Sequence, residues 1–83
     1  MMRKVVIGNI LKNMRNMNTK LSQKEIGEKL SVADTTISSY ERENSQPDFQ
    51  TIVNYADICD FEIKIYNKKT KQEVSLEEMS KQL

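Results

Sequence analysis

The sequence predicts a mainly α domain of four to five helices, closed by a C-terminal β-hairpin. Two observations carry this expectation. Up to about residue 60, apolar side chains recur every three or four residues in short segments separated by polar ones, the period of amphipathic helices. From Phe61 the period falls to two. Phe61, Ile63 and Ile65 alternate with Glu62, Lys64 and Tyr66, the pattern of a half-buried strand. The chain therefore divides into a helical part, residues 1–60, and a hairpin with a short tail, residues 61–83.

Ile7, Ile10, Leu11, Met14 and Met17 mark a first helix from about Val6 to Met17. Asn16, Asn18, Thr19 and Lys20 form a polar connection. Ser22 caps a second helix, Gln23 to Leu30, and Glu25 three residues later completes a capping box. A third helix runs from Asp34 to Tyr40, with Asp34 favouring the positive end of its dipole. Pro47 suits the first position of a fourth helix, whose apolar face is read as Phe49, Ile52, Val53, Ala56 and Cys59. Asn67-Lys68-Lys69-Thr70 supplies the turn of the hairpin, with a weaker second strand from Lys71 to Val74. Ser75 and Glu78 form another capping-box pattern, opening a short helix through Leu83 or a frayed tail.

The second and third helices are the informative pair. Ile26 and Leu30 share one helical face, while Val32, Ile37 and Tyr40 form the apolar side of the next segment. Gly27 sits where a crossing helix comes closest. Two helices crossing steeply over so short a turn make a helix-turn-helix, whose second member fits a DNA major groove. In Leu21-Ser22-Gln23-x-Glu25-Ile26-Gly27, Leu30-x-Val32, Thr36-Ile37-Ser38-x-Tyr40-Glu41 and Pro47, with Ile7-Gly8 and Arg15 upstream, the chain resembles the lambda-repressor-like (Cro/repressor, xenobiotic-response-element) class of DNA-binding regulators. The resemblance spans about Ile7 to Cys59. The sequence departs from that class at Ser31 and Glu43, where glycine is usual, and at Ala33, where a Ser or Thr cap is usual.

The resemblance implies a set of contact residues. Asp34, Thr35, Thr36 and Ser39 point toward base edges if the third helix docks as in that class, with Asn44 and Gln46 flanking. Ser22, Lys24 and Arg42 are candidate phosphate contacts, and the Gln23 amide either reaches a phosphate or braces the recognition helix. Arg15 serves equally as an ion-pair partner of Glu41, and Tyr40 reads as core. Gln23 and Thr36 are expected to be exposed in the free protein. The bland alternative for Thr35, Thr36 and Ser39 is a solvated helix face.

Composition narrows the remaining classes. At 83 residues a single core is marginal, and one cysteine permits no internal disulfide. Without histidine a structural zinc site has no reasonable ligand set, and general acid–base catalysis falls on scattered carboxylates and lysines. Neither a cofactor nor enzymatic activity is expected, and Cys59 reads as a buried, inert thiol. The run Val5-Val6-Ile7 is too short for a signal peptide or a membrane span, so the expected location is cytoplasmic. Net charge is only +1, but residues 1–47 carry eight Lys or Arg against five acids, and the rest five Lys against seven acids.

These readings converge on a sequence-specific, double-stranded-DNA-binding transcriptional regulator. It is expected to be a homodimeric repressor of the phage or mobile-element type, or an antitoxin with a toxin as protein partner. The dimer contact is expected through Phe61, Ile63 and Ile65, since an isolated hairpin is marginal in water. The rival is a protein–protein interaction module that keeps the fold without strong DNA binding, favoured by the near-zero charge and the absence of Arg from the third helix.

Overall fold

Four helices pack around a small core and a hairpin projects from them, as seen in a computed structural model that describes residues 2–81. The elements are α1 (Ile7–Asn18), α2 (Gln23–Leu30), α3 (Asp34–Glu41), α4 (Phe49–Ile58), β1 (Lys64–Asn67), β2 (Gln72–Ser75) and α5 (Leu76–Ser80). The strands pair antiparallel, Ile65 opposite Val74 and Tyr66 opposite Glu73. The expected order of elements and the mainly helical class are therefore present. The radius of gyration is 14.2 Å, against roughly 12 Å for a compact chain of this length. The excess reflects the hairpin, whose residues from Lys64 to Glu73 are all exposed.

Leu11 and Met14 of α1, Ile26 of α2, Ile37 of α3, and Tyr55, Ala56 and Cys59 of the α4 region form the core. Several expected core positions fall outside it. Ile10 is 42% and Met17 72% exposed, because the stripe facing the bundle runs Ile7, Leu11, Met14 and the two others lie to its side. On α4 the inward face is Ile52, Tyr55, Ala56 and Cys59 rather than one led by Phe49, which is 60% exposed. Pro47 does not open α4 either. The Asp48 carboxylate accepts the Thr51 N–H at 2.8 Å and takes the cap, leaving Pro47 buried one residue outside. In the hairpin, Phe61 and Ile63 precede β1 and pack on the core, while Ile65 is 41% exposed. The capping box at Ser75 is half made: its hydroxyl accepts the Glu78 N–H, but the Glu78 carboxylate pairs with Lys81. The short helix ends at Ser80, where Lys81 is extended, and does not continue toward Leu83 as expected; residues 82–83 lie outside the described residues.

Three helices end in the same way, and none uses glycine. Ser31, Glu43 and Asp60 adopt φ of 60°, 63° and 64°. In each case the next residue's N–H reaches back five positions: Val32 to Gly27, Asn44 to Ser39, and Phe61 to Ala56. This is the Schellman arrangement, in which a left-handed residue lets orphan carbonyls find donors. Non-glycine residues adopt that conformation at a cost of about 1–2 kcal/mol each.

The two glycines are needed elsewhere. A Cβ on Gly8 would lie 2.6 Å from the Glu41 carbonyl and 2.8 Å from that of Tyr40. Only glycine lets the positive end of α1 rest on the carbonyl end of α3. α1 has no side-chain cap of its own at Val6. Instead the Gly8 N–H donates to the Glu43 carboxylate at 2.9 Å. Gly27 is similarly tight, its Cβ position being 2.7 Å from the Val32 carbonyl.

Gly8→Ala is expected to destabilise the fold by about 1–3 kcal/mol through backbone overlap, although alanine is the better helix former by about 1 kcal/mol. Asn13→Ala, at an exposed site on the same helix, serves as control. Ser31→Gly is expected to do the opposite, raising stability by up to about 1 kcal/mol on relief of the left-handed strain. Urea denaturation monitored by circular dichroism checks both.

Candidate nucleic-acid interface

One carboxylate joins all four helices of the bundle. Glu41, at the end of α3, is 7% exposed and its side chain is almost wholly enclosed. Arg15 of α1 grips it as a fork, Nε to Oε2 at 3.0 Å and Nη2 to Oε1 at 2.9 Å. Gln23 of α2 donates its amide to Oε1 at 3.1 Å, and the Tyr55 hydroxyl of α4 donates to Oε2 at 2.6 Å. Arg15 also donates to the Leu21 carbonyl at 3.1 Å, which ties down the entry to α2. No buried side-chain N or O lacks a partner among the described residues.

The electrostatics follow from this geometry. Burial alone raises the Glu41 pKa, but the hydrogen bonds from Arg15, Tyr55 and Gln23 together outweigh it and hold the carboxyl below its ordinary range. Burial and the bond to Glu41 push the Tyr55 hydroxyl far up, so it stays a donor at neutral pH. The bond to Glu41 likewise raises Arg15, which keeps its charge. Burial also raises the Cys59 thiol, which fits an unreactive packing residue.

This anchor orients α3, and its outer face carries the residues singled out above. Thr35, Ser39 and Arg42 follow at helical spacing, with Asp34 beside them at the first turn. Asp34, Thr35 and Arg42 are exposed, Ser39 half-buried, and Asn44 and Gln46 exposed in the following loop. The Ser39 hydroxyl bonds to that of Ser45 at 2.8 Å, so the loop is tied to the helix. At the start of α2, Ser22 and Glu25 complete the expected capping box, and Lys24 is exposed beside them. The Ser22 hydroxyl thus accepts the Glu25 N–H and keeps its own proton to donate. Two expectations need correction: Gln23 and Thr36 are half-buried, not exposed. Gln23 is drawn inward by Glu41, so of the two roles open to it the bracing one is occupied in the free protein.

The acids of this half are largely used internally. Glu41 is buried against Arg15, Glu43 caps α1, and Glu25 accepts the Ser22 N–H, which lowers its pKa. Sequence reasoning missed Tyr55, although Ile52, Tyr55, Ala56 and Cys59 stand at i, i+3, i+4 and i+7. That spacing marks a possible helical face, but the partner that draws Tyr55 inward, Glu41, lies 14 residues away.

Two short helices locked over a left-handed turn, with the second turned outward from a four-helix bundle, define a helix-turn-helix unit of the lambda-repressor-like kind. A family model described as helix-turn-helix matches residues 11–66, more than half of the chain. The protein belongs to this Cro/repressor-type family, whose members are DNA-binding regulator domains and not enzymes. No curated protein and no solved structure matches the chain. Among the described residues no helix is long and apolar enough to cross a membrane.

Because Glu41 is held below its ordinary pKa, its contribution to stability is complete above the unfolded carboxyl range and is lost as pH falls through the lowered value. Glu41→Ala is expected to cost about 3–5 kcal/mol by stranding Arg15. Tyr55→Phe should cost about 1.5–3 kcal/mol and Gln23→Ala about 1 kcal/mol. Urea titrations across the acid range test the ordering, and Tyr55→Phe should also move the loss of stability to higher pH.

Proposed function

We propose that this DNA-binding helix-turn-helix protein is a sequence-specific transcriptional repressor that acts as a homodimer on double-stranded DNA in the cytoplasm. Asp34, Thr35, Thr36, Ser39 and Asn44 face base edges, while Ser22, Lys24 and Arg42 hold phosphates. Gln23 acts chiefly by fixing α3 through Glu41. The observation that carries this reading is the outward face of α3, where Asp34, Thr35 and Arg42 stand exposed without intramolecular side-chain bonds among the described residues. The short hydroxyls of this face make single rather than forked base contacts, so DNA shape supplies part of the selectivity.

Residues 61–83 form the dimerisation part in this proposal and residues 1–60 the DNA-binding part. Ile65, the exposed member of the row Phe61, Ile63 and Ile65, is the side chain most available to a second copy. Two recognition helices about 34 Å apart would then read successive major grooves of a pseudo-palindromic site. A phage or mobile-element repressor and an antitoxin paired with a toxin both fit this arrangement. The interaction-module reading rests on the +1 net charge and on the lack of Arg between Asp34 and Ser39.

Fluorescence-anisotropy titration against the DNA upstream of the protein's own gene separates the readings. Preference over scrambled DNA is expected, with affinity falling steeply as salt rises. Lys24→Ala should lower the salt slope by about 1, whereas Thr35→Ala should shift base preference by roughly 1 kcal/mol. Equal affinity for scrambled DNA at low salt rejects the repressor and favours the interaction module.

A further inference from the structure

Two exposed features of this chain lack partners among the described residues, and their chemistries match. The first is the segment ahead of α1. Met2 is 96% and Val5 62% exposed, and Arg3 and Lys4 between them form no ion pair. With three residues per turn in an extended, polyproline-like chain, Met2 and Val5 lie on one side and the two cations on the others.

The second feature is a groove between α4 and α5. Two adjoining depressions of about 440 and 450 Å³ share Val53, Leu76 and Glu77, within the size range that accepts a small ligand or a few side chains. Phe49 stands over one end, and Asp57 and Glu62 line the other. Asp57 and Glu77 meet no cation within 4.0 Å among the described residues, and Glu62 meets only Lys64, at 3.5 Å. The groove thus has apolar side chains, Val53, Phe61 and Leu76, interleaved with polar Asn54 and Ser75, a rim of acids that also includes Asp60, and a reach to Ile63 of the proposed dimer contact.

We propose that the segment Met2–Val5 of a second copy seats in this groove, with Met2 and Val5 on Phe49, Val53 and Leu76, and Arg3 and Lys4 against Asp57, Glu62 and Glu77. Each chain carries both halves, so a two-fold pair fills both grooves at once, the self-complementary condition of an isologous dimer. The inference rests on the homodimer reading and adds to its hairpin contact a second one, between residues 2–5 of one copy and the α4–α5 groove of the other.

The test uses two full-length variants, R3E/K4E and D57K/E62K, whose substitutions are all at exposed positions and whose folding is checked by circular dichroism. Sedimentation equilibrium at low salt should show self-association weakened roughly tenfold or more in each variant alone, where like charges now face each other. An equimolar mixture should regain dimers, because each acidic arm then meets a basic groove and each basic arm an acidic one. High salt should weaken the native dimer as well. Native protein that stays monomeric at every concentration rejects the homodimer reading and this inference together. A native dimer whose variants associate as tightly as it does, or a mixture that stays monomeric, rejects the arm-and-groove contact alone.

Discussion

The Glu41 carboxylate is the constraint on which the bundle depends. A charge taken out of water is tolerable only where donors replace its hydration, and here the donors come from three different helices. Arg15, Gln23 and Tyr55 reach it together only if α1, α2 and α4 take one arrangement around the end of α3. The same contact that satisfies the charge therefore sets the attitude of α3, the helix that faces DNA in the proposed function. Helix packing by apolar side chains alone would permit small rotations, whereas a forked Arg–carboxylate bond is directional. Recognition geometry in this small protein is in that sense held from behind, by a buried polar cluster and not by the outer face itself.

Glycine is scarce, and its placement shows which backbone demands dominate. Both glycines lie where another backbone approaches closer than a Cβ allows, Gly8 against the end of α3 and Gly27 against the turn that leads to it. The left-handed helix ends are left to Ser31, Glu43 and Asp60. Steric overlap with backbone requires a helix to move, while a left-handed serine, glutamate or aspartate costs about 1–2 kcal/mol and leaves the packing in place. Glu43 recovers some of that cost, because its position after α3 brings its carboxylate to the uncapped start of α1. α1 and α3 are thus joined twice, by Arg15–Glu41 on the inside and by Glu43–Gly8 at the rim.

The periphery has a different character. Core side chains are few and come from all four helices of the bundle, whereas Phe49, Ile65, Tyr66 and Met79 stay largely in water. A chain of this size has little apolar area to spare for solvent. The charge is also divided, with the helix-turn-helix half positive and the remainder negative. Such a division along the sequence favours phosphate attraction by the first half and contacts of opposite sign by the second.

The sequence by itself determined the order of elements, the helix-turn-helix, the Ser22–Glu25 cap and the family, because these rest on local spacing and on turn chemistry within a few residues. The resemblance to the lambda-repressor-like class also offered the Arg15–Glu41 pair as one of two roles for Arg15, although 26 positions separate the two residues. Only the tertiary structure decided which side chains of each stripe are buried. Phe49 and Tyr55 have similar apolar bulk, yet α4 turns Tyr55 inward because its hydroxyl reaches Glu41, a partner 14 residues away. Gln23 reads as a surface residue until α3 brings a carboxylate beside it, and the row Phe61, Ile63 and Ile65 reads as one half-buried face until Phe61 and Ile63 are seen on the core and Ile65 in solvent. Periodicity identifies a face. What that face meets depends on helices and strands distant in the chain, and no local pattern encodes their crossing angles.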